Sequence, residues 1–429
     1  MDFTESLSPH EAKLKKISGT LVDIWAKRDL HFEFHSVGLK AQLRNFLLKR
    51  DFLRRLLGSR APGESVLPSY VDALLRKPWP VHVPEDPFQA IPTEFVARPK
   101  LRIACVADEL SFRSWQYEAD FVALPRQSWR ETLESGPFDL LLVESAWEGP
   151  GGGWGKDLAD LSRKGRRSDE LLDQVVSGFQ GRGVPTVFYA KEDPVDRDLF
   201  LGAAERFDFV FTTDEDSISF YEKKLGHKRV ACLPFAAQPR LHHPPADSEP
   251  RPGSVFFAGT WYAKRHPERR RQAENLLRPA LEHGLAIFDR VEALSNSHYR
   301  WPAEYESALV GAIPYARMGE ASGLYRVGLN INSVTTSPTM LSRRVFELLA
   351  SGTPVISSPS PAISRFFGSD LVRVSSSPEE TQFYLEGLLS EDAAWQELSL
   401  KGAQCVLEKH TYRHRLDSLL GLLGRGSGE

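Results

Sequence analysis

The sequence lacks the features that mark an exported, membrane-spanning or nucleic-acid-binding chain. Its three cysteines, Cys105, Cys232 and Cys405, are odd in number and far apart among 429 residues, so they are typical of buried thiols rather than disulfides or metal ligands. A net charge of -3 offers no basic footprint for nucleic acid. No apolar run approaches the roughly 18 residues of a membrane span, and the first residues lack a leader pattern. We therefore expect a cytoplasmic protein that does not bind nucleic acid.

Two signals for cofactors and metals are also missing. No G-x-G-x-x-G follows the first predicted strand, and no Asp-x-Asp follows a strand where it would hold Mg²⁺ on a diphosphate. His242 and His243 stand in a Pro-rich stretch without cysteine or carboxylate neighbours, so we interpret them as structural. The sequence predicts neither a bound cofactor nor a metal site.

Continuous apolar runs of strand length occur in two series separated by helical patterns. Strands without polar alternation are buried on both faces, which predicts parallel sheets covered by helices. The Pro-rich residues 241–253 separate the two series and predict a hinge. The runs lie at residues 101–107, 138–143, 184–189, 207–212 and 230–233, and then at 254–259, 285–288, 327–332, 354–357 and 371–374.

The predicted fold class is α/β, with two doubly wound Rossmann-like domains facing a cleft and an N-terminal helical extension. The predicted boundaries are 1–95 for the extension and its Pro-rich linker, 96–245 for the first domain, 246–410 for the second, and 411–429 for a C-terminal helix and tail. Residues 39–60 form a basic amphipathic pattern. That helix either packs on its own protein or lies on an anionic membrane.

The pattern of residues 329–358 predicts a strand, a polar loop, a helix and a second, buried strand. The loop after the first of these strands is where an α/β sheet binds a ligand. Ser337 is a candidate helix cap, Pro338 suits the first turn, and Gly352 suits the position after the end. Spacing places Met340, Arg343, Arg344 and Glu347 on one face of this helix. That face could bind phosphate and ribose, or Glu347 and Arg343 could form an ordinary surface ion pair.

A second candidate region follows the first strand of the second series. Gly259 and Thr260 end that strand, and Lys264 and Arg265 precede a helix that opens at residues 266–267. Glycine would let backbone amides approach a diphosphate, and the two cations would offset charge on a departing nucleotide.

Acidic residues follow the strands of the first series and are candidates for a general base toward an acceptor hydroxyl. The candidates are Asp108, Glu144, Glu192 and Asp193. For Asp214 and Asp216 helix capping is the simpler interpretation. Residues 149–155 form a glycine-rich loop flanked by Trp147 and Trp154, which either closes over a sugar with its indole faces or is a plain surface loop.

The segment Arg344-Val-Phe-Glu347 followed by Ala350-Ser-Gly352 resembles the donor-site signature of GT-B glycosyltransferases of the group 1 superfamily, in particular the spore-maturation-protein (CgeB-like) branch. The resemblance implies that Glu347 contacts the nucleotide ribose, that the Gly259 loop contacts the diphosphate, and that Tyr315 flanks the base. Lys-Glu-Asp-Pro at 191–194 and Thr-Thr-Asp at 212–214 are similar to further motifs of relatives.

Thr339 stands where many relatives carry a second glutamate. This departure leaves the contacts to the donor sugar, and the choice between retention and inversion, open.

We expect a metal-independent glycosyltransferase that moves a sugar from a nucleotide-diphosphate-sugar substrate to a glycan, lipid-linked or small-molecule acceptor. Two alternatives remain: a nucleotide-sugar epimerase on the same fold, and a non-catalytic scaffold that binds nucleotide sugars. An epimerase needs no acceptor, and a scaffold turns over nothing, so donor consumption with and without acceptor separates the three.

Overall fold

The computed structural model describes residues 67–160, 169–245, 251–264, 266–290 and 298–424. The predicted helix at 39–60 and the candidate Arg265 lie outside these residues. Within them the chain forms two six-stranded sheets in which every paired strand is parallel. The predicted α/β class with two Rossmann-like domains is confirmed.

The first sheet has the strand order β2-β1-β3-β4-β5-β6. Its central strands are apolar and buried on both faces, as β3 shows with five buried residues, because helices cover both sides of the sheet. The strands are β1 (Arg102–Val106), β2 (Asp120–Ala123), β3 (Leu140–Glu144), β4 (Thr186–Ala190), β5 (Phe209–Thr212) and β6 (Val230–Cys232).

The second sheet has the order β12-β11-β10-β7-β8-β9, so β10 and β7 lie at its centre. Val327 of β10 pairs with Val255 of β7, and both are fully buried. The strands are β7 (Gly253–Ala258), β8 (Leu285–Phe288), β9 (Leu309–Gly311), β10 (Tyr325–Asn330), β11 (Val355–Ser357) and β12 (Val372–Val374).

Helices connect the strands of each sheet. In chain order the α-helices are α1 (Ser69–Arg76), α2 (Glu109–Trp115), α3 (Trp129–Glu134), α4 (Gly155–Leu158), α5 (Asp169–Gln180), α6 (Arg197–Ala204), α7 (Ile218–Leu225), α8 (Pro267–Ala280), α9 (Met318–Gly323), α10 (Arg343–Ala350), α11 (Pro361–Phe367), α12 (Pro378–Ser390), α13 (Asp392–Lys409) and α14 (Tyr412–Leu422). Short 3₁₀ turns lie at Thr93–Phe95, Glu215–Ser217, Leu281–His283, Ala303–Ala308 and Tyr315–Arg317.

The last helix, α14, packs against the first sheet although it follows the second in sequence. The ring of Tyr412 stands edge-on to Trp115 with centroids 4.7 Å apart, and Leu416 is buried in the same cluster as Ile103. Arg415 donates to the carbonyl oxygens of Pro234 and Phe235 just after β6. The end of the chain thus ties the two sheets into one unit.

Two edge strands, β2 and β9, do not follow the apolar pattern that predicts the others. Asp-Phe-Val-Ala in β2 is half-exposed, and Leu-Val-Gly in β9 has three residues. An edge strand is covered less completely than a central one, so its sequence carries a weaker signal. The three cysteines are free thiols; Cys105 is buried and Cys232 and Cys405 are half-buried. Among the described residues, no helix is both long and apolar enough to cross a membrane.

Candidate functional site

The carboxyl ends of the two sheets face each other. The loop after β10 reaches residues that follow β5, where Ser337 Oγ donates to Asp214 Oδ1 at 2.5 Å. Tyr315, before α9, lies 3.3 Å from Ser114 of α2, hydroxyl to hydroxyl. Strand ends are where open α/β sheets bind ligands. The candidate site therefore lies between the two sheets, and both domains contribute to it.

Glu347 is the centre of the second-domain half of the site. It lies on α10 with only 2% of its side chain exposed. Arg344 Nη1 approaches Glu347 Oε2 at 2.7 Å, and Arg343 Nε lies 3.3 Å from Oε1. Tyr315 Oη donates to Oε1 at 2.9 Å. The pair of Glu347 with Arg343 therefore forms, but around a buried carboxylate rather than on an open surface, and Arg344 and Tyr315 hydrogen-bond to the same carboxylate.

The charge of Glu347 survives this burial. Burial by itself raises the pKa of a carboxyl, but Arg344 and Arg343, with smaller contributions from His242 and Tyr315, outweigh it and lower the pKa of Glu347. Two guanidinium groups face one carboxylate, so the cluster keeps an excess positive charge. Such an excess suits an anionic ligand.

Two further arginines extend the positive cluster, and the sequence interpretation missed both. Arg269 of α8 donates to the carbonyl oxygen of Ile331 and to Ser333 Oγ, each at 3.0 Å, so it leans on the loop after β10 rather than into solvent. Burial and the nearby charge of Arg290 lower the pKa of Arg269, although Tyr262 acts the other way. Burial also lowers the pKa of Arg344. Glu347 raises that pKa, whereas the nearby charges of Arg343 and Arg290 lower it further. A bound anion would relieve this crowding of like charge.

The other donor-site candidates differ in how they are placed. Gly259 follows β7 and its N–H donates to Phe288 O, but a side chain at that position would meet the ring of Phe257 at 2.7 Å, so packing alone requires glycine there. Thr260 is buried and Lys264 is exposed. Met340 is half-buried and lies before α10 rather than on it.

The helix predicted from Ser337 onward begins later, at Arg343, and the predicted cap is wrong. Ser337 Oγ accepts from the N–H groups of Thr339 and Met340, which forms a separate turn. Its own hydrogen is donated across the cleft to Asp214. Residues 337–340 thus form part of the contact between the two domains. The spacing of residues along the chain does not indicate such a contact. Gly352 does have the positive φ, +64°, expected after the helix.

A buried lysine organises the first-domain half of the site. Lys191 Nζ lies 2.7 Å from Asp108, 3.0 Å from Glu144 and 3.8 Å from Glu192. Burial would lower the pKa of Lys191, but the three carboxylates together raise it. Lys191 therefore stays charged and holds three of the four candidate bases together.

Asp108 is a poor base for a reaction because its charge is strongly stabilised. Its carboxylate accepts from Lys191 and from the N–H groups of Trp147, Glu148 and Gly149. These contacts outweigh burial and lower its pKa to about 2. Asp108 instead fixes the start of the glycine-rich loop.

Glu144 is 1% exposed, and its Oε1 accepts from the N–H of Asp108 at 2.6 Å. Burial and the negative charge of Asp108 raise the pKa of Glu144 more than the positive charge of Lys191 lowers it. Glu192 has a side chain that is 30% exposed, and burial raises its pKa too, again opposed by Lys191. Of these two carboxylates, only Glu192 combines a raised pKa with partial exposure.

Asp193 is buried among hydroxyl groups. Its oxygens accept from Thr212 Oγ1 at 2.6 Å and from Tyr221 Oη at 3.0 Å, and burial raises its pKa to about 7 despite these bonds. The motifs Lys-Glu-Asp-Pro and Thr-Thr-Asp are thus direct partners, because Asp193 belongs to one and Thr212 to the other. The predicted capping by the Asp214 side chain is wrong, because its carboxylate accepts from the hydroxyls of Ser217 and Ser337 and makes no capping hydrogen bond to the turn that follows.

The glycine-rich loop does not offer two indole faces to a ligand. Trp154 is fully buried and donates to Leu124 O at 3.0 Å, and the ring of Trp147 packs edge-on against Phe200. Gly149 and Gly151 to Gly153 all have positive φ, which explains the run of glycine. Among the residues that the structure describes, no group of three His, Cys, Asp or Glu is placed to hold a metal ion.

Residues 268–421 match the model of a family described as glycosyl transferase-like. The matched region contains β8 to β12 and includes Arg269, Arg290, Tyr315, Arg344 and Glu347, the second-domain half of the site. It covers less than half of the chain. The match supports sugar transfer as the class of reaction.

Solved structures of similar fold include sucrose-phosphate synthase from Thermosynechococcus elongatus, with a TM-score of 0.43, 14% identity and coverage of 70% of this chain and 76% of the other. HepE of Anabaena, solved with UDP, has a TM-score of 0.44, 9% identity and coverage of 72% and 86%. TarM has a TM-score of 0.42, 10% identity and coverage of 66% and 54%, so the chain spans about half its length. No curated protein sequence matches the chain.

Proposed function

We propose that the protein transfers a sugar from a nucleotide-diphosphate-sugar donor to an acceptor hydroxyl. The observation that carries the proposal is the cluster of buried Glu347 with half-buried Arg343 and Arg344 at the facing strand ends, within the segment that matches the glycosyl transferase-like family. In this proposal Glu347 binds the ribose, and the arginines bind the diphosphate. The Arg-x-Phe-Glu and Ala-x-Gly spacing further supports the spore-maturation-protein-like branch.

The acceptor capacity of Glu347 sets a condition on ribose binding. A carboxylate has about four lone-pair positions; Arg344 and Tyr315 hydrogen-bond to two of them, and Arg343 Nε lies beside Oε1 at 3.3 Å as an ion-pair partner. Two vicinal hydroxyls need two positions that no guanidinium blocks. We propose that both guanidinium groups turn from Glu347 to the incoming diphosphate, which opens Oε2 to the ribose.

The positive charge of the site supports transfer without a metal ion. A departing nucleoside diphosphate needs positive charge to stabilise it, which in other sites a Mg²⁺ ion provides. Here that positive charge would come from Arg344, Arg269 and Arg290. We propose that activity persists in excess EDTA. An activity that EDTA abolishes and Mg²⁺ restores would refute this part.

Glu192 is the first-domain carboxylate we assign as the general base for an inverting reaction. Its raised pKa and partial exposure suit proton transfer, whereas Asp108 is held ionised and Asp193 is buried with hydroxyl partners. If configuration is retained, the leaving diphosphate takes the acceptor proton instead. The acceptor itself would be a glycan, a lipid-linked or a small molecule in the cytoplasm.

The first test is a thermal-shift panel with UDP, GDP, dTDP and CMP, since a ligand of the folded state raises its stability by RT ln(1 + [L]/Kd). The nucleotide that binds is then compared with its 2′,3′-dideoxy form in the wild type and in Glu347→Gln. If Glu347 binds the ribose, dideoxy substitution weakens the wild type by about tenfold or more and Glu347→Gln much less. An equal loss in both proteins would refute the ribose assignment.

The second test separates the three candidate activities. A transferase releases nucleoside diphosphate from the matching nucleotide sugar in proportion to added acceptor. An epimerase converts the donor without acceptor, and a scaffold binds the nucleotide but consumes no donor with any acceptor offered.

A further inference from the structure

The segment that joins the two domains brings His242 beside Glu347, which neither histidine spacing nor motif searching indicated. His242 is 1% exposed, and its Nε2 lies 3.9 Å from Glu347 Oε1. Its ring stands 5.8 Å from that of Tyr315, the hydroxyl donor to the same oxygen. Gly319 permits this approach, because a side chain there would meet the carbonyl oxygen of Leu241 at 1.9 Å.

The protonation of His242 follows from its other neighbours. Nδ1 accepts from the N–H of Gln238 at 3.4 Å, which leaves the ring hydrogen on Nε2, the atom nearest Glu347. Burial lowers the pKa of His242 to about 4, with Arg344 and Arg343 adding to the effect against Glu347, so the ring is neutral near pH 7. Nε2 therefore carries one hydrogen, and it has no hydrogen-bond partner among the described residues.

A buried donor without an acceptor is unfavourable unless another state of the protein supplies one. Glu347 Oε1 is the closest candidate, and a movement of about 1 Å would bring the two atoms within hydrogen-bond distance. Arg343 Nε flanks the same oxygen at 3.3 Å, and its side chain is 22% exposed, which leaves it room to turn outward.

We propose that His242 is a positioning residue that donates to Glu347 Oε1 and so replaces the ion pair with Arg343 when Arg343 turns to the diphosphate of the bound nucleotide. This inference rests on the proposed function. His242 and Tyr315 then both donate to Oε1, and Oε2 is left for the ribose hydroxyls once Arg344 has also turned to the diphosphate. His242 belongs to the segment between the domains, so the position of that segment also affects the position of Glu347 in the nucleotide site. Gln238, its partner, donates to Ser114 O and Glu118 of the first domain.

The test uses a matched set of variants in the full-length protein, with UDP as the calorimetric probe and GDP and dTDP measured beside it. His242→Phe keeps a ring against Tyr315 but removes the donor. His242→Gln places an amide N–H near the position of Nε2. His283→Phe is the control, because the Nε2 of His283 is also buried and has no partner among the described residues. His283 precedes β8, so it lies at the amino ends of the strands, away from the carboxyl ends that carry the site.

We expect His242→Phe to weaken binding of the nucleoside diphosphate at least tenfold, while His242→Gln and His283→Phe stay within about threefold of the wild type. Equal affinity of His242→Phe and the wild type would overturn the inference, and so would an equal loss in the Phe and Gln variants, which would indicate packing alone. If His242→Phe does not fold, His242→Asn replaces it, since Asn can serve Gln238 but is too short to reach Glu347. A wild type that binds no nucleotide would refute the proposed function itself, a result distinct from any difference among the variants.

Discussion

Thr339 Oγ1 donates a hydrogen bond of 3.0 Å to the carbonyl oxygen of Thr213 and accepts one of 2.8 Å from the N–H of Glu215. Thr339 belongs to the second domain, and both partners follow β5 of the first. The thiol of Cys232 lies 3.4 Å from the same hydroxyl, and Arg365 pairs with Glu215 at 2.6 Å. The position at which the resemblance implies a second glutamate is therefore used here to join the two domains.

Replacing Thr339 by valine keeps the shape and removes the hydroxyl. We expect a loss of about 1–3 kcal/mol in the free energy of unfolding, because the N–H of Glu215 is left without its acceptor. Urea unfolding at pH 7 measures it. Thr132→Val is the control, since that hydroxyl bonds only within the first domain, to Ser128 O at 3.2 Å. An equal change in the two variants would show that the bond between domains has no special weight.

Arg344 is predicted to bind the diphosphate, so Arg344→Met should weaken nucleoside diphosphate binding more than tenfold. The variant also leaves Glu347 with one cation fewer in a buried position, so its stability must be measured beside its affinity. Arg326→Met is the comparison, because Arg326 pairs with Asp392 near the start of β10, at the amino end of the strand and opposite the carboxyl end that carries the candidate site. Similar nucleotide affinities in the two variants would contradict the diphosphate assignment.

Glu192→Gln tests the proposed base. For an inverting transferase we expect kcat to fall by about 10²-fold or more while the affinity for the nucleotide is unchanged, because the amide cannot accept the proton of the acceptor hydroxyl. Asp198→Asn on α6 is the control, since its carboxylate is 83% exposed. An unaltered kcat in Glu192→Gln would exclude Glu192 as the base.

Asp193 predicts a pH dependence of stability. Burial raises its pKa to about 7 from 3.8, so between these values the native state holds a proton that the unfolded state has lost. The contribution to stability is complete below pH 4 and is lost as the pH rises toward and through 7, by as much as about 4 kcal/mol. Asp193→Asn should gain stability relative to the wild type as the pH rises from 4.5 to 8, measured by urea unfolding. A difference that stays constant across this range would contradict the raised pKa.

Patterns along the chain predicted the central strands and two of the four edge strands, β6 and β12, but missed the edge strands β2 and β9. Buried strands such as β3 and β4 are continuous apolar runs, whereas β2 and β9 lie at the sheet edges and carry little signal. The start of α10 was misplaced because Ser337 has two competing partners, its own turn and Asp214 across the cleft. Helix-capping patterns consider only neighbours in sequence, whereas Asp214 lies 123 residues from Ser337.

The candidate site divides in the same way. The spacing of Arg343, Arg344 and Glu347 is a local property of one helix, so the sequence indicated it correctly. His242, Arg269 and Arg290 join that site from three other elements, and only folding brings them near. The roles of the first-domain acids likewise depend on Lys191, whose contacts decide which carboxylate is held ionised.

By itself the sequence determined two parallel sheets and a charged helix at a strand end, because burial patterns and helical spacing are written along the chain. The tertiary structure decided that Glu347 is buried between two arginines and a tyrosine, that Thr339 joins the domains, and that His242 faces the carboxylate. These relationships depend on which strand ends meet across the cleft, and that meeting is set by the packing of whole domains rather than by neighbours in sequence.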